Sequence, residues 1–215
     1  MKISGAIFDM DGTLTDSMWV WEEIGNRYLN SCGIDPKENV WQRVKSMTMR
    51  QTAEFFISEY GLKKTVAEIY SGIYSLLEPI YHDEVFPKKG VELLLKRLKS
   101  QDVRMCVATA TDYDLVKKVL EKNGLLHYFS EIFTCRIVGA GKESPLIYER
   151  ALEHLGTPKE ETFVFEDAFH AVKTAKEAGF TVVGVFDSST TDVAADIKAA
   201  ADYFIEDYRQ DYQLF

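Results

Sequence analysis

Apolar residues fall into short, nearly unbroken runs along this chain, and polar residues follow each run. The five clearest runs are residues 3–8, 103–109, 131–139, 162–167 and 181–186. Consecutive apolar positions are typical of strands that are buried on both faces of a parallel sheet. A shorter run at 203–207 predicts a further strand at the edge. The pattern therefore predicts a parallel sheet with helices on both faces.

Stretches with helical periodicity lie between the predicted strands. Apolar residues recur three and four positions apart in residues 91–98, 116–120, 143–156 and 168–179. The last two stretches end in glycine, which favours helix termination. Thr111 and Asp114 predict the N-terminal cap of the second helix. Alternating strands and helices predict a doubly wound α/β domain, Rossmann-like in class, from about residue 83 onward.

Residues 17–82 interrupt this alternation. Three amphipathic helical stretches cover 18–33, 48–61 and 63–81, and no convincing strand lies among them. We therefore predict an all-helical module inserted after the first strand. Residues 1–16 and 83–215 would form the α/β core.

Composition and charge narrow the function classes. The chain has 215 residues, of which 46% are hydrophobic and 27% are charged, as in ordinary globular proteins. Its 25 Lys and Arg residues are outnumbered by 34 Asp and Glu residues, which gives a formal charge of −9. This balance argues against a surface for nucleic acid or for an anionic membrane. An anionic small molecule would need positive groups that are gathered locally.

Cysteine usage and the N-terminal residues favour the cytoplasm. Cys32, Cys106 and Cys135 are far apart and form no C-x-x-C pair, so we predict buried, reduced thiols without a disulfide or a zinc site. The first apolar run meets a charge at Asp9, too early for a signal peptide. No stretch approaches the ~20 apolar residues of a membrane span.

Polar side chains follow four of the predicted strands. In chain order they are Asp9 and Asp11, Thr109 and Thr111, Lys142, and Glu166 and Asp167. Open α/β sheets bind ligands outside the carboxyl ends of their strands, so these side chains should converge on one crevice. Clustered carboxylates repel one another unless a cation lies among them, and hard oxygen ligands suit Mg²⁺. A lysine and hydroxyls beside that metal suggest a phosphate as the remaining occupant.

The first two aspartates can take different roles. Alternate residues at a strand end point the same way, so Asp9 and Asp11 can both reach the crevice while Met10 points away. Gly12 permits a tight turn that exposes backbone N–H groups to an anion. One carboxylate could attack phosphorus and the other could move protons.

Each of these residues also has an ordinary structural explanation. Asp9 and Asp11 fit a simple Asp-Gly turn after a strand. Lys142 fits a solvated loop lysine, and Thr109 fits a β-branched strand residue. Their joint placement at four strand ends is what favours chemistry.

Four segments resemble the ordered motifs of the haloacid dehalogenase-like hydrolase superfamily. They are "DMDGTLTD", "VATATD", "GKESPLIYERAL" and "FVFEDAFHAV". The helical insert resembles the cap of the branch that contains β-phosphoglucomutase and small-molecule phosphatases. The resemblance covers essentially the whole chain and implies a doubly wound core with an inserted cap.

The resemblance implies particular catalytic and phosphate-binding residues. Asp9 would be the nucleophile that forms an aspartyl-phosphate, and Asp11 would be the general acid and base. Thr109 and Lys142 would hold the phosphoryl oxygens, with Asp11, Gly12 and Ala110 as the further phosphate-binding residues.

The resemblance also implies a magnesium site. Asp9, the backbone carbonyl of Asp11 and Asp167 would ligate Mg²⁺, with Glu166 beside them. The fourth motif departs from the common Glu-Asp-Ser-x-x-Gly pattern because Ala168 and Ala171 replace the serine and the glycine. The metal ligands survive this change, but hydrogen bonding around them is in question.

In the inserted module, Arg50 is the main candidate for substrate binding. The resemblance implies that an arginine at the start of a cap helix grips a distal substrate phosphate, a task that suits a guanidinium fork. An exposed helix residue is the equal alternative for Arg50. Lys45 is a weaker candidate of the same kind.

Three functions remain in competition. The first is a Mg²⁺-dependent phosphatase that acts on a small phosphorylated metabolite, for example a sugar phosphate, as a cytoplasmic monomer without nucleic-acid or membrane partners. The second is a phosphomutase of the β-phosphoglucomutase kind, which shares every catalytic residue. Thr13 favours the phosphatase, because the mutases tend to carry an apolar residue there. The third is a catalytically silent binding module.

Overall fold

The computed structural model describes residues 2–38, 40–45 and 47–214, with the backbone alone at residue 214. Within these residues the chain divides into two compact units. One unit is built from the chain up to Asp16 together with the chain from Val85 onward, and the other is Ser17–Glu84.

Strands occur in the first unit. They are β1 (Gly5–Phe8), β2 (Thr15–Asp16), β3 (Phe86–Pro87), β4 (Arg104–Thr109), β5 (Ile132–Thr134), β6 (Thr162–Glu166), β7 (Thr181–Val185) and β8 (Tyr203–Ile205). Six of them form one sheet in the order β5-β4-β1-β6-β7-β8, and every pair in it is parallel. β2 and β3 form a separate antiparallel pair. The predicted α/β class is confirmed, with β8 at an edge as predicted.

Helices cover both units. The second unit holds α1 (Met18–Ser31), α2 (Val40–Val44), α3 (Met49–Tyr60) and α4 (Val66–Asp83). The first unit holds α5 (Val91–Ser100), α6 (Tyr113–Lys122), α7 (Cys135–Val138), α8 (Leu146–Leu155), α9 (Phe169–Glu177), α10 (Ala194–Ala200) and α11 (Tyr208–Asp211). No helix in the described ranges has the length and apolar character needed to cross a bilayer.

The central strands β1 and β6 are buried along their whole length, and β4 is buried except at Arg104, as the apolar runs predict. All four residues of β1 are buried, and β1 pairs with β4 on one side and with β6 on the other. Phe8 of β1 stacks on Phe165 of β6 with ring centroids 4.2 Å apart. Apolar burial of this kind contributes about 25 cal/mol per Å² and fixes the strands that carry the site.

The predicted third strand is wrong beyond Thr134. There β5 ends and α7 begins, because the Thr134 hydroxyl accepts a hydrogen bond of 3.2 Å from the Ile137 backbone N–H and caps the helix. Cys135 and Val138 pack against the core while Ile137 is exposed. A single helical turn with this spacing looks like a continued apolar run in sequence.

The second unit is helical, and its described residues contain no strand. Thr48 and Thr65 begin α3 and α4 with capping boxes, in which Gln51 and Glu68 complete the reciprocal hydrogen bonds. α2 is not among the predicted helices, because five residues are too few to show a helical period. Gly72 allows α4 to approach α1, since a Cβ there would lie 2.5 Å from Cε2 of Tyr28.

Candidate active site

Three carboxylates lie at the ends of the neighbouring strands β1 and β6. Asp9 directly follows β1, and its backbone N–H donates to the Phe165 carbonyl at 3.0 Å, which continues the parallel ladder. Glu166 is the last residue of β6, and Asp167 follows it. All three side chains are buried, although carboxylates normally face water.

Lys142 joins two of these carboxylates. Its amino group contacts both Asp9 Oδ1 and Glu166 Oε1, and the side chain is only 7% exposed. The alternative of a solvated loop lysine is therefore wrong. Burial alone would lower the pKa of Lys142, but the adjacent Asp9 and Glu166 carboxylates outweigh it and raise the pKa, so the amine keeps its proton.

Negative charge remains in excess around this lysine. Burial raises the pKa of Asp9 well above its usual value; Lys142 opposes that rise, and Glu166 and Asp167 add to it. Burial, followed by Glu166 and Asp187, raises the pKa of Asp167 to about 7. Carboxylates that resist ionisation in this way indicate a site with room for a further positive charge.

The same carboxylates can hold a metal ion. One oxygen from each of Asp9, Glu166 and Asp167 lies within 4.8 Å of the other two. Glu166 Oε2 is buried and has no hydrogen-bond partner among the described residues. Hard oxygen donors with one unsatisfied atom fit Mg²⁺. The predicted ligand at Asp11 is its backbone carbonyl, which stays a prediction because this group comprises side-chain oxygens.

Asp11 lies with two threonines at the carboxyl end of β4, where Thr109 is the last strand residue and Thr111 follows it. The Thr111 hydroxyl donates to Asp11 Oδ2 at 2.6 Å, and the Thr111 backbone N–H donates to the Thr109 hydroxyl at 3.1 Å. Thr109 and Thr111 are both buried. The predicted helix cap at Thr111 is wrong, because Asp112 is the residue before α6 and the Thr111 hydroxyl is turned towards Asp11 instead.

Gly12 brings the first motif against the fourth. Its φ is +83°, and a Cβ at this position would lie 2.3 Å from Asp167 Oδ2. Only glycine meets both demands without strain. Thr13, the next residue, donates its hydroxyl to Asp167 Oδ1 at 2.9 Å and so orients the carboxylate. Ala110, the other small residue proposed for phosphate binding, is exposed directly after β4.

The altered fourth motif keeps its carboxylates in place. Ala168 precedes α9 and provides no side-chain cap, while Ala171 is fully buried in the core. Asp167 is instead held by Thr13, from the first motif. A hydroxyl outside the fourth motif thus orients this carboxylate.

Two tyrosines complete the site and are not among the predicted residues. Tyr148 donates its hydroxyl to Glu166 Oε1 at 2.8 Å, and Tyr208 donates to the Thr13 carbonyl at 3.1 Å. Tyr148 belongs to the third quoted motif, six residues after Lys142, and helical phase could have indicated it. Tyr208 carries no comparable signal, because its position near Thr13 depends on the tertiary fold.

The burial of the cysteines agrees with the prediction only in part. All three cysteines are free; Cys106 is buried as predicted, but Cys32 and Cys135 are only half-buried.

Arg50 is 81% exposed and pairs with Glu54 at 3.0 Å, one turn along α3. Lys45 is exposed. A role of Arg50 or Lys45 in substrate binding stays a prediction.

The open parallel sheet, with buried acidic residues and a lysine beyond its carboxyl edge, defines a Rossmann-like α/β enzyme. The profile described as haloacid dehalogenase-like hydrolase matches residues 6–185, so the chain belongs to this family. The prediction of an enzyme of this class is confirmed.

Known proteins resemble the chain over most of its length. A phosphorylated carbohydrates phosphatase of Thermotoga maritima is 26% identical over 153 residues, which are 71% of each chain. The structure of a candidate β-phosphoglucomutase from Thermotoga maritima matches with 26% identity and a TM-score of 0.78, covering 97% of this chain and 96% of the other. CbbY of Rhodobacter sphaeroides, solved with phosphate, has the same fold at 21% identity and a TM-score of 0.82, with coverage of 97% and 96%.

Proposed function

We propose that this protein is a Mg²⁺-dependent phosphatase that hydrolyses a small phosphorylated metabolite, for example a sugar phosphate, through an aspartyl-phosphate. The observation that carries the proposal is the buried lysine between two carboxylates, Asp9 and Glu166, with Asp167 beside them. A related protein is named for the hydrolysis of phosphorylated carbohydrates, which supports this substrate class.

Asp9 acts as the nucleophile in this proposal. Its carboxylate oxygen forms a bond to phosphorus while the bond from phosphorus to the leaving oxygen breaks, and Asp11 gives its proton to that oxygen. Asp11 then takes a proton from a water molecule whose oxygen attacks the phosphorus. The Asp9–phosphate bond breaks, and inorganic phosphate leaves with Asp9 restored.

In this proposal, residues around these aspartates bind the phosphate. The protonated Lys142 offsets negative charge on the phosphoryl oxygens, and the Thr109 hydroxyl donates to one of them. Backbone N–H groups at Asp11 and Ala110 supply further donors, whereas the Gly12 N–H donates to the Thr15 carbonyl at 3.0 Å and closes the turn. In the cap, Arg50 and Lys45 are the proposed contacts for the remainder of the substrate.

Asp9, Asp167 and the backbone carbonyl of Asp11 would hold Mg²⁺, with Glu166 beside them. The fit rests on the three clustered carboxylate oxygens and on the unpartnered Glu166 Oε2. When bound, the cation supplies charge that offsets the approach of an anionic phosphate to an anionic nucleophile. Lys142 and Thr109 orient the phosphate without its help.

A phosphomutase is the second candidate, and similarity to a candidate β-phosphoglucomutase supports it. The same residues would act, but Asp9 would return the phosphoryl group to a sugar instead of to water.

We further propose that the protein is cytoplasmic, since the three free thiols suit a reducing compartment, and that it is a monomer.

The test is a phosphorus NMR time course with Mg²⁺ on hexose, pentose and polyol phosphates, with Asp9→Asn as the control. Growth of free phosphate with the wild type alone supports the phosphatase. Growth of an isomeric sugar phosphate, with little free phosphate, supports the phosphomutase. Equal signals from the wild type and Asp9→Asn contradict both candidates.

A further inference from the structure

Glu166 is held from one side only. Its Oε1 accepts the Tyr148 hydroxyl at 2.8 Å and also contacts the Lys142 amino group. Its Oε2 is buried and receives no hydrogen bond from the described residues. Two donors on one oxygen fix the plane of the carboxylate, and the second oxygen is left to another partner.

Tyr148 is itself rigidly placed. The side chain is 1% exposed and sits in the first turn of α8, the helix that packs on β4 and β1. Its ring lies edge-on to Phe180 with centroids 6.2 Å apart. Burial and the ring contact therefore hold the Tyr148 hydroxyl at Glu166 Oε1.

We propose that Tyr148 is a positioning residue for the metal site: its hydroxyl holds Glu166 Oε1, so that Oε2 is presented to the cation beside Asp9 and Asp167. This inference rests on the proposed function, because it assumes a cation in that group. Groups that orient metal ligands in this way typically change metal affinity by about 10–100-fold when they are removed.

The chain contains a matched control. Tyr128 is also buried, and its hydroxyl donates to Glu92 Oε1 at 3.2 Å, outside the metal group. Tyr128→Phe and Tyr148→Phe each remove one hydroxyl from a buried tyrosine that is bonded to a glutamate. Thermal unfolding of both variants measures the purely structural effect of that loss.

The experiment uses Mn²⁺ alone as the probe, with the free ion measured by electron paramagnetic resonance on the full chain. We expect Tyr148→Phe to raise the Kd for Mn²⁺ about ten-fold and Tyr128→Phe to change it by less than about two-fold. In activity assays, excess Mg²⁺ should restore most of the kcat of Tyr148→Phe, because the defect lies in metal binding.

The outcomes separate this inference from the proposed function. A Kd for Tyr148→Phe within about two-fold of the wild type overturns the role of Tyr148, even if the wild type releases phosphate normally. A wild type that binds Mn²⁺ yet hydrolyses no phosphate ester overturns the phosphatase, whereas a weakened Tyr148→Phe would still support the positioning role. A wild type that binds no Mn²⁺ overturns the metal site and the role of Tyr148 with it.

Discussion

The hydroxyl of Thr111 donates to Asp11 at 2.6 Å and defines how the proposed acid and base is oriented. A proton-transfer group must be aligned with the atom it serves, and general acid–base catalysis contributes about 10²–10⁴-fold. We therefore expect Thr111, which the sequence places in the same crevice, to affect the rate through Asp11.

We expect Thr111→Val to lower kcat about ten-fold, as part of the roughly 10²–10⁴-fold that acid–base catalysis supplies. Thr111→Ser keeps the donor and should retain activity. The loss should be larger with an alkyl phosphate than with p-nitrophenyl phosphate, since the alkoxide needs the proton more. Equal losses with both substrates would contradict an orienting role.

Gly12 and Gly124 allow a second prediction. Both glycines have positive φ, but a Cβ on Gly124 meets nothing within 4 Å, whereas a Cβ on Gly12 meets Asp167. We expect Gly124→Ala to lower the free energy of unfolding by about 1–2 kcal/mol, from backbone strain alone. Gly12→Ala should lower it by about 1–3 kcal/mol more, from overpacking. Urea unfolding measures the difference, and equal losses would show that the contact is relieved elsewhere.

The three carboxylates of the site could be predicted from sequence because each lies at the end of a recognisable strand. Asp9, Glu166 and Asp167 lie within one residue of strand ends that apolar runs define. Tyr148 and Tyr208 could not be predicted in the same way, because their hydroxyls reach the site through helix phase and tertiary packing.

At the scale of elements, Glu59 of α3 connects that helix to α2 and to the segment before α2, all within the second unit. Its Oε1 accepts from Lys37 at 2.6 Å and from Arg43 of α2 at 3.0 Å. The Arg43 hydrogen bond, followed by that from Lys37, lowers the pKa of Glu59 to about 2. A folded-state pKa below the ordinary value gives stability above about pH 4.5 that is lost as the pH falls towards 2.

Glu59→Gln should therefore lower the thermal midpoint at pH 7, and its difference from the wild type should shrink below about pH 4.5. The matched control is Glu54→Gln, which removes a carboxylate of the same helix that pairs with Arg50 one turn away. Thermal scans from pH 7 to pH 3 give the comparison. A Glu59→Gln difference that does not change with pH would contradict the ion-pair explanation.

The shortest helices could not be predicted from the pattern of apolar residues. α2 and α7 span five and four residues, so neither completes the two turns that reveal a helical period. The capping hydroxyl of Thr134, which ends β5 and begins α7, also fits a strand residue by type. Long elements such as α1 and α4 fall where the periodicity predicts them.

At the scale of the whole molecule, the alternation of strands and helices was enough to predict the α/β class. Strand order depends on which strands pair with each other in the folded chain. β1, the first strand in sequence, lies in the middle of the sheet. The chemistry collects there because β1, β4 and β6 are adjacent and parallel, so their carboxyl ends meet.

The short pair of β2 and β3 has a consequence for how such proteins can diversify. Thr15 pairs with Pro87, and Asp16 pairs with Phe86, so the chain departs from the first unit and rejoins it at neighbouring positions. In the topology of the chain, the whole of Ser17–Glu84 is the connection between the two strands of the β2–β3 hairpin. Recombination at this junction can therefore exchange one insert for another of different length without breaking the parallel sheet that carries the buried carboxylates.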